Sequence, residues 1–512
     1  MAAHDRSFRV ALIEAGSPGL NIYSHVAMGR GVPLLATVVR DAGYDVRAFV
    51  EDIAGKDTTD WSWAGTADVI GFSAITCTLP RTRDLVAKAR AVNPRATIVL
   101  GGPEPTCAPD RSLDVADLVL RGEAELTLPR LLSVLSGEAG EGLCDVPGLL
   151  WREEGTVRRG PEPRQLTRAE LEALPLVDRS LVDGAERADV AAVWRARGCP
   201  ERCDFCEVCQ IWPRYTRRSD ETSLDELMAA QDAGYGCAFL VDDNAAADKR
   251  SFKEFLRCAG ERGFSRMLVT QLRADAVLTK EGRIDRELLR LLKRAASVTV
   301  VCVGVESADN GDLDRIHKHA HASRTARALK AMRRSGLLVH GMFIAFAEDT
   351  SEIIRRNGRY ARRYVNSLQY LFETPLPGTE RTAQHEAFGR LLFEADGDLA
   401  LFDGMHVVLK PEKVTAAQMQ QQVFTAYRRF YSKRRIVGAA VRGALGRFRR
   451  LTEAQRAALS GKPVRERLAE WMRLQVTYKF APVGFLAVGR RRMRELMSDP
   501  DYAGYLARLQ EL

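Results

Sequence analysis

The sequence predicts an α/β protein in three parts: an N-terminal doubly wound Rossmann-like domain, a partial (β/α)6 TIM-type barrel and a mostly helical C-terminal region. Two stretches alternate short apolar runs with amphipathic helical patterns, which is the signature of parallel sheets covered by helices. A stretch rich in Pro, Gly and charge separates them, and strand patterns fade after about Asp398. At 512 residues the chain has room for several cores.

The first block runs RVALIEA, a helical pattern over Pro33 to Ala42, YDVRAFV, ADVIGFSA, a helix over Arg81 to Val92, ATIVLGG, DLVLRGE and a helix over Leu126 to Leu135. This gives a domain over 1–144, and 145–187 reads as an irregular connector. The second block, 188–397, offers the strands VAAVWRA, CAFLVDD, RMLVTQLRA, VTVVCVGVES, LLVHGMFIAF and LQYLFETP, each but the last followed by a helical pattern. Six βα units in a row place chemistry at the carboxyl ends of the strands. Residues 398–512 form the helical region, and no repeat of 20 to 50 residues occurs.

Composition excludes several classes. The chain is 46% hydrophobic and 28% charged, ordinary for a globular protein and unlike a disordered or collagenous one. No run of 18 apolar residues is present, so a spanning helix is not expected, and the N-terminus lacks the pattern of a secretory signal. The expected compartment is therefore a reducing cytoplasm. The net charge of +9 is concentrated, because Tyr427 to Arg450 holds nine Lys or Arg and no acid. A nucleic-acid-binding surface on the body of the protein is not implied. The basic segment mixes arginine with aromatic and aliphatic residues at helical spacing, which fits a peripheral contact with an anionic membrane, and equally a surface helix packed on the barrel.

Four of ten cysteines fall within eleven residues, which suits metal better than disulfides. The segment Arg197-Gly-Cys199-Pro-Glu-Arg-Cys203-Asp-Phe-Cys206 has the spacing CxxxCxxC and follows the first barrel strand. Three thiolates can hold three irons of a [4Fe-4S] cluster and leave the fourth open, whereas a closed structural zinc site takes four ligands. A zinc knuckle that recruits Cys209 is the competing reading. An open iron beside a βα barrel resembles the radical S-adenosylmethionine (SAM) superfamily, and the match extends to the aromatic Phe205 before the last cysteine.

That resemblance implies that Cys199, Cys203 and Cys206 ligate the cluster, that SAM occupies the open iron, and that one electron from a flavodoxin- or ferredoxin-type donor cleaves it to a 5'-deoxyadenosyl radical. It also implies SAM contacts. Asp242 and Asp243 end the second barrel strand, Arg273 lies on the third with a guanidinium fork suited to the SAM carboxylate, and Gly304-Val-Glu306-Ser ends the fourth. Acidic residues at strand ends are also ordinary helix N-caps, so each match is weak alone. Phe343 to Thr350 departs from the Gly-rich turn usual on the fifth strand, whereas Thr374-Pro-Leu-Pro-Gly378-Thr is common in the family.

A doubly wound domain ahead of such a barrel resembles the cobalamin (B12)-binding radical SAM enzymes. The family's cobalamin fingerprint is DxHxxG, then SxL after about 41 residues, then GG after about 26, at the carboxyl edge of the sheet. Ser73-Ala-Ile75 and Gly101-Gly102 fit its last two elements, with 25 residues between Ile75 and Gly101. Counting 41 residues back from Ser73 reaches Gly31, so Val26 takes the Asp position and Met28 the position of the cobalt-ligating His. The resemblance then implies a cobalamin site at Met28, Ser73, Gly101 and Gly102 with no His ligand. A Rossmann-like domain that has lost its ligand is the alternative.

Ile316-His-Lys-His-Ala-His321 looks like a metal tract, but residues i and i+2 do not share a helix face, and a polar turn is expected there. His340 and His406 are site candidates or satisfied core histidines. Together the resemblances imply a cobalamin-dependent radical SAM C-methyltransferase acting on an unactivated carbon of a small-molecule or lipid substrate through methylcobalamin. A radical cyclase, oxidase or rearrangement that uses cobalamin without methyl transfer is the alternative, and a non-catalytic cobalamin or redox sensor is the alternative of another class.

Overall fold

The computed structural model describes residues 8–17, 27–28, 31–394, 396–445, 456, 460 and 463–511. His25 and Val26 lie outside them. The first eight strands are β1 (Arg9–Glu14), β2 (Ala27–Met28), β3 (Asp45–Val50), β4 (Val69–Ser73), β5 (Thr97–Gly101), β6 (Leu118–Leu120), β7 (Leu149–Glu153) and β8 (Thr156–Arg159). One sheet has the order β3-β1-β4-β5-β6-β7-β8. Its first five strands are parallel and read as near-continuous apolar runs because helices cover both faces. The order turns around at β1, and in such sheets ligands bind beyond the carboxyl ends of the strands beside that switch point.

Two departures from the sequence reading concern this domain. The stretch expected as an irregular connector contains the hairpin β7–β8, which pairs antiparallel with β6 and carries the sheet on to Arg159. Its turn is Glu154-Gly155, both in the left-handed region at φ 49° and 77°, the backbone that a two-residue hairpin of right-handed twist requires. The second is the strand at Met28: β2 pairs in parallel with Val190–Ala191, supplies hydrogen bonds to an otherwise open edge of the second sheet, and also lies against Glu51–Ala54, the helical turn that follows β3.

That second sheet is built from β9 (Val190–Val193), β12 (Cys237–Leu240), β13 (Met267–Arg273), β14 (Val298–Glu306), β15 (Leu338–Ala345) and β16 (Ser367–Phe372), with the small pair β10 (Ala196–Arg197) and β11 (Thr216–Arg217) beside it. Its order, β16-β15-β14-β13-β12-β9-β2, is parallel throughout. Helices Asp220–Asp232, Lys249–Glu261, Arg286–Arg294, Ala322–Arg334 and Ser351–Tyr364 cross between successive strands. This is the expected partial (β/α)6 barrel with β2 as an added edge.

The helical region closes the open side. Helix Ala416–Phe430 places Tyr427, Phe430 and Tyr431 in the core, where the Tyr427 hydroxyl accepts from the Tyr370 amide at 2.7 Å and the Tyr431 hydroxyl donates to the Leu368 carbonyl at 2.7 Å. The start of the basic run at 427–450 is therefore structural support under β16. This start of the segment follows the alternative of a helix packed on the barrel, because its aromatic side chains satisfy the barrel's edge strand. Among the described residues no helix is long and apolar enough to cross a membrane.

Candidate active site

The barrel strands end at one face, and the cysteine loop covers it. Beyond β9 the chain passes through β10, makes an excursion over 198–215 and returns through β11, so the loop is clamped at its base by an antiparallel pair. Gly198 starts the excursion at φ +80°, where a Cβ would come within 2.7 Å of the Arg214 carbonyl, so the turn requires glycine. Within the loop the Cys206 amide donates to the Cys203 carbonyl at 3.1 Å.

Cys199, Cys203 and Cys206 carry free thiols, and burial raises all three from their usual pKa, Cys206 to about 12. Iron would therefore have to displace protons, as thiolate ligation demands. Among the described residues no three Cys, His, Asp or Glu side chains converge on a point that could hold a single ion. The Cys209 thiol is instead turned to the loop backbone and donates to the Glu201 carbonyl at 3.1 Å. The donor set of three soft thiols fits an iron–sulfur cluster, whose corners take one thiolate each.

Four charged groups ring the loop. Asp242 is buried and accepts from the Arg195 and Ala196 amides at 2.6 and 3.1 Å, stapling the ends of β9 and β12, while its Oδ2 accepts no hydrogen bond and faces the Arg195 guanidinium at 3.9 Å. Asp243 accepts from the Gly198 amide, yet desolvation and the neighbouring Asp242 raise its carboxyl to about 6. Arg273 is fully engaged: it pairs with Glu201 at 3.1 Å and Asp275 at 3.1 Å, and donates to the Lys318 and His319 carbonyls. A carboxylate ligand there would compete with Glu201 and Asp275. Glu306 ends β14 at φ +57°, next to a register shift against β15, and accepts from the Lys318 ammonium at 2.9 Å. A left-handed Glu is uncommon, and strain of about 1–3 kcal/mol persists only where the surroundings impose it, often at functional positions.

The loop is also held from below and from the side. Glu373, the residue before the Thr374-Pro-Leu-Pro-Gly378 turn, accepts from Arg381 and pairs with His385 Nε2 at 2.9 Å. Burial alone would raise its carboxyl, but those bonds outweigh it and hold it down to about 2. Arg381 in turn binds Glu348 at 2.9 Å and lies 5.5 Å over the Phe346 ring, against which Phe205 of the loop packs edge-on at 6.0 Å. From the side, Arg197 enters a buried ion-pair cluster with Glu123 and Glu125 of the first domain, and Trp212 Nε1 donates to Glu123 at 3.2 Å. These contacts fasten the cysteine loop to the loop after β6.

On the facing edge, Ser73 and Gly101 are register partners at the ends of β4 and β5. Gly102 sits at φ +109°, where a Cβ would lie 2.7 Å from the Ala74 carbonyl. A Cβ on Gly101 would meet only the Leu120 carbonyl at 3.5 Å, so the space above this edge is open and a side chain there would fill it. That is a cradle fitted to a ligand lying close to the backbone. Thr76, Cys107 and Arg111 on this side, Gly378 and Thr382 on the barrel side and Phe402 of the helical region line one cleft of about 740 Å³.

Of the other histidines, His319 and His321 line a pocket with Arg273, Gly304 and Lys318. His317 and His319 are in left-handed turns, His340 pairs with Ser367 at 2.6 Å near the start of β15, and His406 pairs with Asp403 and packs edge-on against Tyr505.

The B12 binding domain family model matches residues 24–132 and the radical SAM superfamily model matches residues 195–381. The chain belongs to the radical SAM enzymes that carry an N-terminal B12-binding domain, and its cofactors are a [4Fe-4S] cluster, SAM and cobalamin. It is 27% identical to an uncharacterised methyltransferase of Pyrococcus horikoshii, over 80% of this chain and 88% of that protein. It is 25% identical to the anaerobic magnesium-protoporphyrin IX monomethyl ester cyclase of Cereibacter sphaeroides, over 77% of this chain, and spans 64% of the cyclase's length. In fold it is similar to the radical SAM methyltransferase TsrM of Kitasatospora setae, with a TM-score of 0.62, 17% identity, and 81% of this chain and 85% of that one covered.

Proposed function

We propose that this enzyme is a C-methyltransferase acting on an unactivated carbon of a specialised metabolite or lipid. The cluster with SAM would supply a hydrogen-abstracting 5'-deoxyadenosyl radical, and cobalamin the methyl group. In this reading Cys199, Cys203 and Cys206 hold the cluster, and Asp242, Asp243, Arg273 and Glu306 surround SAM. Ser73, Gly101 and Gly102 cradle cobalamin, with Met28 at the position of the cobalt-ligating His. What supports the reading is the buried Arg197–Glu123–Glu125 cluster, which fastens the cysteine loop to the loop after β6 of the first domain. It holds the cluster side of the barrel against the domain whose carboxyl edge would carry cobalamin, so that one substrate could meet both cofactors. An external one-electron donor is part of the reading.

A cyclase-type reaction without methyl transfer is the second reading, favoured by the likeness to the Cereibacter cyclase. Anaerobically reconstituted enzyme given SAM, a reductant and hydroxocobalamin separates them. Formation of both 5'-deoxyadenosine and S-adenosylhomocysteine is the expected result. The nucleoside alone would move the enzyme to the second reading, and neither product would leave a sensor.

A further inference from the structure

Helix Lys433–Leu445 and the long helix Val464–Met497 pack against each other in opposite directions: Gly443 meets the Lys479 carbonyl and the Phe480 ring, whereas Tyr431 meets Gly489. From the first of these contacts the long helix extends back over residues 464–480, roughly 24 Å at about 1.5 Å per residue, past the end of its partner. Along it, Val464, Leu468, Met472, Val476 and Phe480 recur every fourth residue. On the shorter helix Val437, Val441 and Leu445 do the same. All eight are between 37 and 82% exposed. Residues four apart are neighbours on a helix face, so these are two apolar rows and not scattered side chains.

The same stretch carries the charge of the molecule. Residues 433–480 contain thirteen Lys and Arg against three Glu, a larger excess than the +9 of the whole chain. Lys433, Arg434, Arg442, Arg465 and Arg467 are exposed, with Glu466 among them. Charge decides what could cover the rows. A second copy of this chain would bring the same excess positive charge against itself. A nucleic acid would meet the arginines and leave the apolar rows in water. An anionic bilayer satisfies both, taking the rows into its headgroup boundary while its phosphates neutralise the flanking basic side chains.

We propose that the pair formed by residues 433–445 and 464–480 is a docking surface for an anionic lipid bilayer, on which the enzyme lies without spanning it. The surface excludes Tyr427, Phe430 and Tyr431, which are used inside the fold. The test is co-flotation of the full-length reconstituted enzyme with phosphatidylcholine vesicles that contain about a third phosphatidylglycerol, and with phosphatidylcholine vesicles alone. Binding to the anionic vesicles at least tenfold tighter, and largely lost in about 1 M salt where the Debye length is about 3 Å, is the expected result. Val441→Glu with Leu468→Glu, and separately Arg434→Glu with Arg442→Glu, should each weaken it at least tenfold while iron and cobalamin content stay at the wild-type level. Equal binding to both vesicles, no binding to either, or variants that bind as well as the parent would overturn the proposal. So would a dimer that forms without lipid and is lost in Val441→Glu, because the face would then belong to a second copy. The 5'-deoxyadenosine assay is independent of each of these outcomes.

Discussion

On the barrel side the chain places donor atoms, and on the Rossmann side it removes side chains. The cysteine loop offers three thiols within eight residues and braces them with buried charge, from Arg197 at its start to Glu373 and Arg381 beneath it. The opposite edge offers Ser73 and two glycines, with open space over Gly101 and a left-handed turn at Gly102. One side is specified by chemistry and the other by shape. The two should therefore fail in different ways: the barrel side to loss of a donor, the Rossmann side to gain of bulk.

Donor loss has the largest expected effect. Cys199→Ala, Cys203→Ala or Cys206→Ala should each remove most of the bound iron and the broad cluster absorbance, whereas Cys209→Ala should keep both, since its thiol is spent on the Glu201 carbonyl. Equal iron loss from Cys209→Ala and Cys203→Ala would end the three-ligand assignment. Bulk comes next. The backbone at Gly101 has room for a Cβ, so Gly101→Val should leave a folded protein with its iron intact and lower cobalamin retention by a hundredfold or more. Unchanged cobalamin content after gel filtration would move the cobalamin site away from this edge.

A third change probes the tie between the two sides. Glu123 accepts from Arg197, Trp212 and the Leu166 amide inside the protein. Removing one partner of a buried ion pair typically costs about 3–5 kcal/mol because the remaining charge stays buried. Here Glu125 still faces Arg197, so the lower end is expected for Glu123→Ala. Chemical denaturation of the reconstituted protein would read it, and Trp212 fluorescence would report the altered loop. A loss below about 1 kcal/mol would mean that the pair lies in effect at the surface.

How legible each part is in the sequence follows from how far its contacts reach. The cluster motif lies within one short stretch, and the barrel strands announce themselves by length and apolar content. Ser73 and Gly101 are legible because strand ends and their spacing carry the information. Asp242 is legible by position, but its bonds to the Arg195 and Ala196 amides depend on β12 lying beside β9, which local sequence does not encode. The Arg197–Glu123 pair joins residues 74 apart and has no local signal at all. A two-residue strand such as β2 has no periodicity to read. The β7–β8 hairpin does have a signal, since Glu154-Gly155 between LLWRE and TVRR is a two-residue turn, but the surrounding charge and proline mask it.

The smallest expected effect concerns two carboxyls, one on each side, that respond to pH in opposite directions. Glu373, under the cysteine loop, is held down to about 2 by His385 and Arg381 against the effect of burial. Glu14 ends β1 beside Ser73, and desolvation followed by repulsion from Asp52 raises it to about 7. A carboxyl raised in the folded state binds its proton more tightly there than in the unfolded chain, so folding is most favoured while that proton is on. For Glu14 the full benefit holds below its ordinary value near 4.5 and is lost as pH rises through about 7. Glu14→Gln removes this dependence without removing the polar group. The variant should therefore match the parent near pH 4.5 and be more stable at pH 8 by about 1–3 kcal/mol, since each tenfold change in proton affinity is worth about 1.36 kcal/mol. Urea denaturation at the two pH values measures it. A variant equally or less stable at pH 8 would show that Glu14 titrates as an exposed carboxyl and that burial does not raise it.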